Sequence, residues 1–121
     1  MIVYYRGSPG CRFQRFSYFT KYCPEAELYA IEFYGEGDLC RAVIKPENPL
    51  HAEDIWDAGR KLGVREMDDK TRQRSRILDE AVKKGYDSIL MNSWLVLLDP
   101  DIVKSINKID KCPVVREDGQ K

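Results

Sequence analysis

The sequence predicts an α+β fold, with strands crowded at both ends of the chain and helices grouped in the middle. Three observations carry this. Ser88-Ile89-Leu90-Met91 and Trp94-Leu95-Val96-Leu97-Leu98 flank the polar pair Asn92-Ser93, which reads as a β-hairpin with strands buried on both faces. Between about 51 and 85, apolar residues recur at helical spacing. Residues 1 to about 50 are rich in aromatic and β-branched side chains, and ten of the 13 aromatics lie in the first 34 positions.

The elements follow in order. Ile2 to Arg6 reads as a strand, closed by the turn chemistry of Gly7-Ser8-Pro9-Gly10. Phe16-Ser17-Tyr18-Phe19 is a short extended segment. Pro24 to Tyr34 reads as a helix, with Pro24 suited to the first turn and Gly35 near the end. Leu39 to Lys45 is a strand stopped by Pro46. Glu53 to Leu62 and Asp68 to Lys84 are helices; the second turns Ile77, Leu78, Ala81 and Val82 inward and leaves Arg72, Arg74, Arg76 and Lys83 exposed. After the hairpin and Asp99-Pro100, Ile102 to Ile106 is a last turn or an edge strand. Residues 1–112 form one domain, and 113–121 are a flexible tail.

Composition narrows the function classes. In 121 residues, 20 Lys+Arg balance 20 Asp+Glu, which excludes a charge-driven nucleic-acid binder. No apolar stretch reaches the length of a membrane span, and the first residues lack the layout of a signal peptide. Cys11, Cys23, Cys40 and Cys112 include no C-x-x-C pair, and His51 is the single histidine, so no metal is expected. Four cysteines could form two disulfides in a secreted chain, but without a signal sequence they read as reduced, buried thiols of a cytoplasmic protein. Neither G-x-G-x-x-G nor G-x-x-x-x-G-K-[ST] occurs, and strands and helices alternate too irregularly for a doubly wound nucleotide fold.

Several residues have a chemical and a plain reading. Arg6, at a strand end beside Gly7-Ser8, can offer a fixed fork to a phosphate or a ribose hydroxyl, or stand in solvent. Ala26, Tyr29 and Ala30 share a helix face, so Tyr29 either stacks on a planar ring or packs the core. The acid pairs Glu36/Asp38, Asp68/Asp69 and Asp99/Asp101 lie at element boundaries, where capping and turn formation are the ordinary roles. Arg72-Gln73-Arg74-Ser75-Arg76 reads as a solvated helix face or a contact for an acidic partner, and His51 as a surface or capping residue.

Four stretches together resemble the small ADP-ribosyltransferase-like proteins of bacteria and phages. Val3-Tyr4-Tyr5-Arg6-Gly7-Ser8 is similar to the family's first strand. Phe19-Thr20 followed by Ala26-x-x-Tyr29-Ala30 is similar to its "F-T, then A-x-x-Y-A" segment. Arg41 to Leu50 looks like its strand ending in an N-P-L turn. Gly85-Tyr86-Asp87-Ser88-Ile89 and Val96-Leu97-Leu98-Asp99-Pro100-Asp101-Ile102-Val103-Lys104-Ser105-Ile106 are close to its common ending. The resemblance covers about residues 3 to 106.

It implies a split mixed β-sandwich of the ADP-ribosyltransferase type that holds NAD in a cleft. Tyr5, Arg6, Gly7, Phe19, Thr20, Tyr29 and Asn92 would then contact NAD. Arg6 would hold the phosphate or the nicotinamide ribose, and Tyr29 would pack near the nicotinamide. Breaking the nicotinamide–ribose bond passes through a cation-like state that a carboxylate stabilises. The family places a Glu at the start of the last hairpin strand, where this chain has Asn92-Ser93-Trp94-Leu95, and no acid stands between Asp87 and Asp99. Asp87 is therefore taken as the acid beside Arg6 and Tyr29, with Glu36 and Asp38 as further candidates and Asn92 or Ser93 as polar ribose contacts. The expected partners are NAD and a protein or nucleic-acid acceptor, in a bacterial or phage-infected cytoplasm. The alternative is a catalytically inactive interaction protein on the same fold, such as a phage-encoded modulator of a host factor. A structural α+β domain of another family is the third reading.

Overall fold

The computed structural model describes residues 2–32, 35 and 37–113. Seven strands form one sheet. β1 (Ile2–Ser8), β2 (Tyr18–Thr20), β3 (Asp38–Ile44), β4 (Pro49–Ala52), β5 (Ser88–Met91), β6 (Trp94–Leu97) and β7 (Val103–Ile109) lie in the order β4-β5-β6-β2-β1-β3-β7. Every pairing is antiparallel except the parallel β4–β5. Among the described residues three helices, α1 (Cys23–Glu32), α2 (Ile55–Leu62) and α3 (Lys70–Lys83), complete the α+β architecture.

The sheet has two wings. β1 pairs with β3 along its whole length, from Ile2↔Ile44 to Ser8↔Asp38, and β3 pairs with β7. On the other side β2, β6, β5 and β4 pair in turn. The wings join through Tyr5↔Thr20 alone in the register of β1 and β2.

Alternation along the strands divides the buried residues. One cluster joins Leu50, Ile55, Ala58, Leu62, Ile77, Leu78, Ala81, Ile89 and Val96, and packs α2 and α3 on the β4–β5–β6 wing. Gly59 lets the two helices meet, because a Cβ there would stand 2.7 Å from Ile77 Cδ1. A second cluster, Tyr4, Phe19, Ala42, Ile44, Leu95, Leu97 and Ile102, runs across the seam. Since Val96 joins the first cluster and its neighbours the second, β6 is buried on both faces, as its unbroken apolarity predicts. The third cluster is small: Cys23, Ala26 and Leu39, where α1 lies on β1 and β3. There a Cβ on Gly7 would collide with the Ala26 carbonyl and stand 2.6 Å from Ala30 N, so only glycine admits this approach.

The hairpin stands where the sequence puts it, and Asn92 turns it with φ +46°, a conformation Asn tolerates. Helix starts move to their caps: Asp54 accepts from Asp57 N at 2.7 Å, and Asp69 from Arg72 N at 3.1 Å. β1 runs through Gly7 and Ser8 because these pair with Leu39 and Asp38; the turn begins at Pro9. β4 replaces the expected Asn-Pro-Leu turn, and His51 is exposed on it. The end of the first expected helix and Glu36 fall outside the described residues, as does the expected tail beyond Pro113.

The cysteines correct the sequence reading. They are not reduced thiols: Cys11 is bonded to Cys40 and Cys23 to Cys112. Each pair joins segments that the sheet brings together, which spacing along the chain does not reveal. No helix among the described residues is long and apolar enough to cross a membrane. Among the same residues, no group of three or more His, Cys, Asp or Glu is placed to hold a metal ion.

Candidate functional site

A cavity of about 590 Å³ opens at the seam between the wings. Its floor is a row across three strands, Tyr5, Thr20 and Trp94, which are register partners in succession. α1 supplies one wall through Ala26 and Tyr29; the loop Gln14–Ser17 supplies a second; Arg74 reaches in from α3. The loop is pinned to β6, since Ser17 O accepts from Leu97 N at 2.9 Å and Phe16 N donates to Leu97 O. This holds Phe16 at φ +75°, which a bulky residue adopts only when its surroundings impose it.

The site is basic and aromatic. Arg6, Arg15 and Arg74 line it, and among the described residues lining it none is acidic. Arg6 is anchored: Nε donates to Arg12 O at 2.9 Å, Nη1 donates to Tyr18 O at 3.0 Å, and the guanidinium lies 5.8 Å from the Phe19 ring centroid. Trp94 is met edge-on by Tyr29 at 5.5 Å and by Tyr18 at 6.1 Å. Burial pushes the Tyr18 phenol up; the Arg74 charge opposes this and Tyr29 adds to it. The Arg74 guanidinium carbon also lies 5.6 Å from the Trp56 ring centroid, a cation–π contact with α2.

Of the residues singled out from the sequence, Tyr5, Arg6, Gly7, Thr20 and Tyr29 come together here. Tyr29 is 41% exposed, so it is not a core tyrosine. Phe19, Asp87 and Asn92 are elsewhere. Phe19 is wholly buried in the cluster with Tyr4 and Leu95, because neighbours on β2 face opposite ways. Asn92 is exposed in the hairpin turn and does not line the cavity.

Asp87 is a structural clamp. One carboxylate oxygen accepts from Glu47 N at 2.7 Å and Asn48 N at 2.8 Å, the other from Ser88 Oγ at 2.9 Å. Asp38 is likewise occupied outside the cavity, accepting from Gly10 N at 2.8 Å and pairing with Lys108 at 3.2 Å. The Gly10 N–H first, and then Lys108, hold its carboxyl below the usual value.

Sequence reasoning missed Arg15, Tyr18, Arg74 and Trp94. Arg74 carried a signal: it stands three and four residues before the buried Ile77 and Leu78, on the flank of the apolar stripe. Trp94 carried another, an amphipathic aromatic just after a turn. Glu25 is outside the lining; its Oε1 accepts from Thr20 Oγ1 at 2.7 Å and from Ser93 Oγ at 3.4 Å.

Comparison with known proteins adds little to this geometry. No family model matches the chain, and no solved structure matches it. A vacuolar protein sorting-associated protein 51 homolog from Dictyostelium discoideum is 41% identical over 60 residues. That segment is 50% of this chain, and the match spans 6% of the relative's length.

Proposed function

We propose that the cavity is a nucleotide site for NAD, and that the chain is an ADP-ribosyltransferase-like protein that passes ADP-ribose to a protein or nucleic-acid acceptor. The lining carries this reading: three arginines beside Tyr18, Tyr29 and Trp94, with no acid among the described lining residues. Guanidinium forks suit phosphate oxygens, and aromatic rings suit a planar base. The volume lies in the range of about 300–1,000 Å³ of small-molecule sites. The split β-sandwich of the resembled family belongs to the same proposal, supported by the one register pair between the wings.

NAD titration followed by tryptophan emission tests binding, since Trp94 is in the floor. Arg74→Ala is expected to weaken binding about tenfold or more, the effect of losing a hydrogen bond to a charged group. Labelled NAD incubated with cell lysate tests transfer, by label on a macromolecule. A titration without response refutes the nucleotide reading.

One observation favours the inactive interaction protein. Among the described lining residues none is a carboxylate that could stabilise a ribosyl cation, and an inactive protein would release no nicotinamide. The two disulfides also weigh for an oxidising setting rather than the expected cytoplasm.

A further inference from the structure

We infer that a second cavity, between α2 and α3, is a phosphate site, and that one single-stranded oligonucleotide fills it together with the seam cavity. The inference rests on the seam cavity being a nucleotide site and does not require the nucleotide to be NAD. The second cavity measures about 310 Å³, with Trp56, Arg60, Glu66, Lys70 and Gln73 in its lining. Gln73 is its fixed point, only 6% exposed. Its Oε1 accepts from Met67 N at 2.8 Å and from Lys70 Nζ at 3.2 Å, which settles the orientation of the amide. The NH2 group then has no hydrogen-bond partner among the described residues. A buried donor without a protein partner is the group that a ligand oxygen satisfies.

The charges converge on the same place. Lys70 and Arg74 stand one helical turn apart on α3, a spacing at which like charges repel. Trp56 gathers both: the ammonium lies 5.8 Å and the guanidinium carbon 5.6 Å from its ring centroid. Arg60 reaches the cavity from α2. Glu66 pairs with Lys70 and Asp57 with Arg60, each at 3.3 Å, but the two cations are 52% and 69% exposed, so a phosphate oxygen displaces these partners at little cost. Arg74 also lines the seam cavity, so the two cavities share one guanidinium. Across both, Arg6, Arg15, Arg74, Lys70 and Arg60 meet Glu66 as the one acid among the described lining residues. Zero net charge for the whole chain therefore conceals a local excess. A nucleotide strand presents phosphates to such cations and planar bases to the Tyr18, Tyr29 and Trp94 rings; an acidic peptide would leave the rings unused.

Fluorescence anisotropy of a labelled single-stranded oligothymidylate of about eight nucleotides tests this on the full chain. Thymidine monophosphate, followed by tryptophan emission, reports the seam cavity alone. Gln73→Glu keeps an oxygen for the Met67 N–H and loses the NH2 group, and Lys70→Gln alters an exposed side chain and guards against misfolding of the first variant. Each is expected to weaken the oligonucleotide about tenfold and leave the mononucleotide unchanged, while Arg74→Ala weakens both. The slope of log affinity against log salt should flatten by about 0.7 in Lys70→Gln, the loss of one phosphate contact. Wild-type affinity of Lys70→Gln for the oligonucleotide overturns the second site, as do equal losses for both ligands. Polyglutamate that competes as well as the oligonucleotide overturns it in favour of an acidic peptide. Absence of oligonucleotide binding overturns it and, where NAD still binds, leaves the NAD reading standing. Oligonucleotide binding without NAD binding supports the second site and strikes the NAD reading alone.

Discussion

α1 and the α2–α3 pair lie on the same sheet but are held by different means. α2 and α3 cover a continuous apolar cluster, with Ala58, Ile77, Ala81 and Ile89 wholly buried. α1 buries Cys23, Ala26 and Ala30, while Leu28, Tyr29 and Ile31 stay 54%, 41% and 62% exposed. Its attachment is covalent and close: the Cys23–Cys112 bond at its start, and backbone contact over Gly7. The α2–α3 layer is thus held by hydrophobic burial, which is non-directional and spread over many residues. The α1 layer depends on a few specific links. α1 walls the cavity through Ala26 and Tyr29, and this is the wall most easily loosened.

The largest effect that would break this contrast comes from the longer disulfide. It closes a loop with a sequence separation of 89 residues. Replacing Cys23 and Cys112 together by Ser should lower unfolding free energy by about 4.6 kcal/mol on the chain-entropy account. Hydrogen exchange should rise in α1 and β7 before α3; equal loosening of all three helices would end the comparison. Next is Ile77→Ala, which empties the space under Gly59 and should cost about 2–5 kcal/mol. Denaturant unfolding measures it, and the penalty should be the same with and without reductant.

The smallest effect concerns Asp38, which ties β3 to the Pro9–Cys11 turn and to β7. Its folded-state pKa lies below the ordinary 3.8. Its contribution is therefore complete above that value and disappears as pH falls through the lower folded value. The stability gap between wild type and Asp38→Asn should shrink under acid, as read from urea midpoints at neutral and low pH. A gap that widens in acid would remove Asp38 from the links of this wing.

Local pattern made the α2–α3 wing legible and the α1 wing only partly so. The hairpin, the two middle helices and the double burial of β6 follow from periodicity and turn chemistry. β4 did not, because Pro49 to Ala52 is four residues long and becomes a strand only by pairing with β5. The disulfides were hidden for the same reason: Cys23 and Cys112 meet through the sheet. At the cavity, Arg6, Gly7 and Tyr29 were legible from the strand end and the helix face, while Tyr5 and Thr20 came only from the resemblance. Phe19 was misplaced against a rule the sequence already offered, since its neighbour Thr20 occupies the cavity side. Asp87 could not be judged locally, because its carboxylate is claimed by the backbone of Glu47 and Asn48.

The disulfide pairing also sets how the chain responds to cutting. The loops closed by Cys11–Cys40 and Cys23–Cys112 overlap, so together they span every peptide bond between Cys11 and Cys112. A protease that nicks the chain once anywhere in that stretch, through the Gln14–Ser17 loop or between α2 and α3, leaves both fragments covalently joined. The nicked protein runs as one species on a denaturing gel until reductant separates it into two.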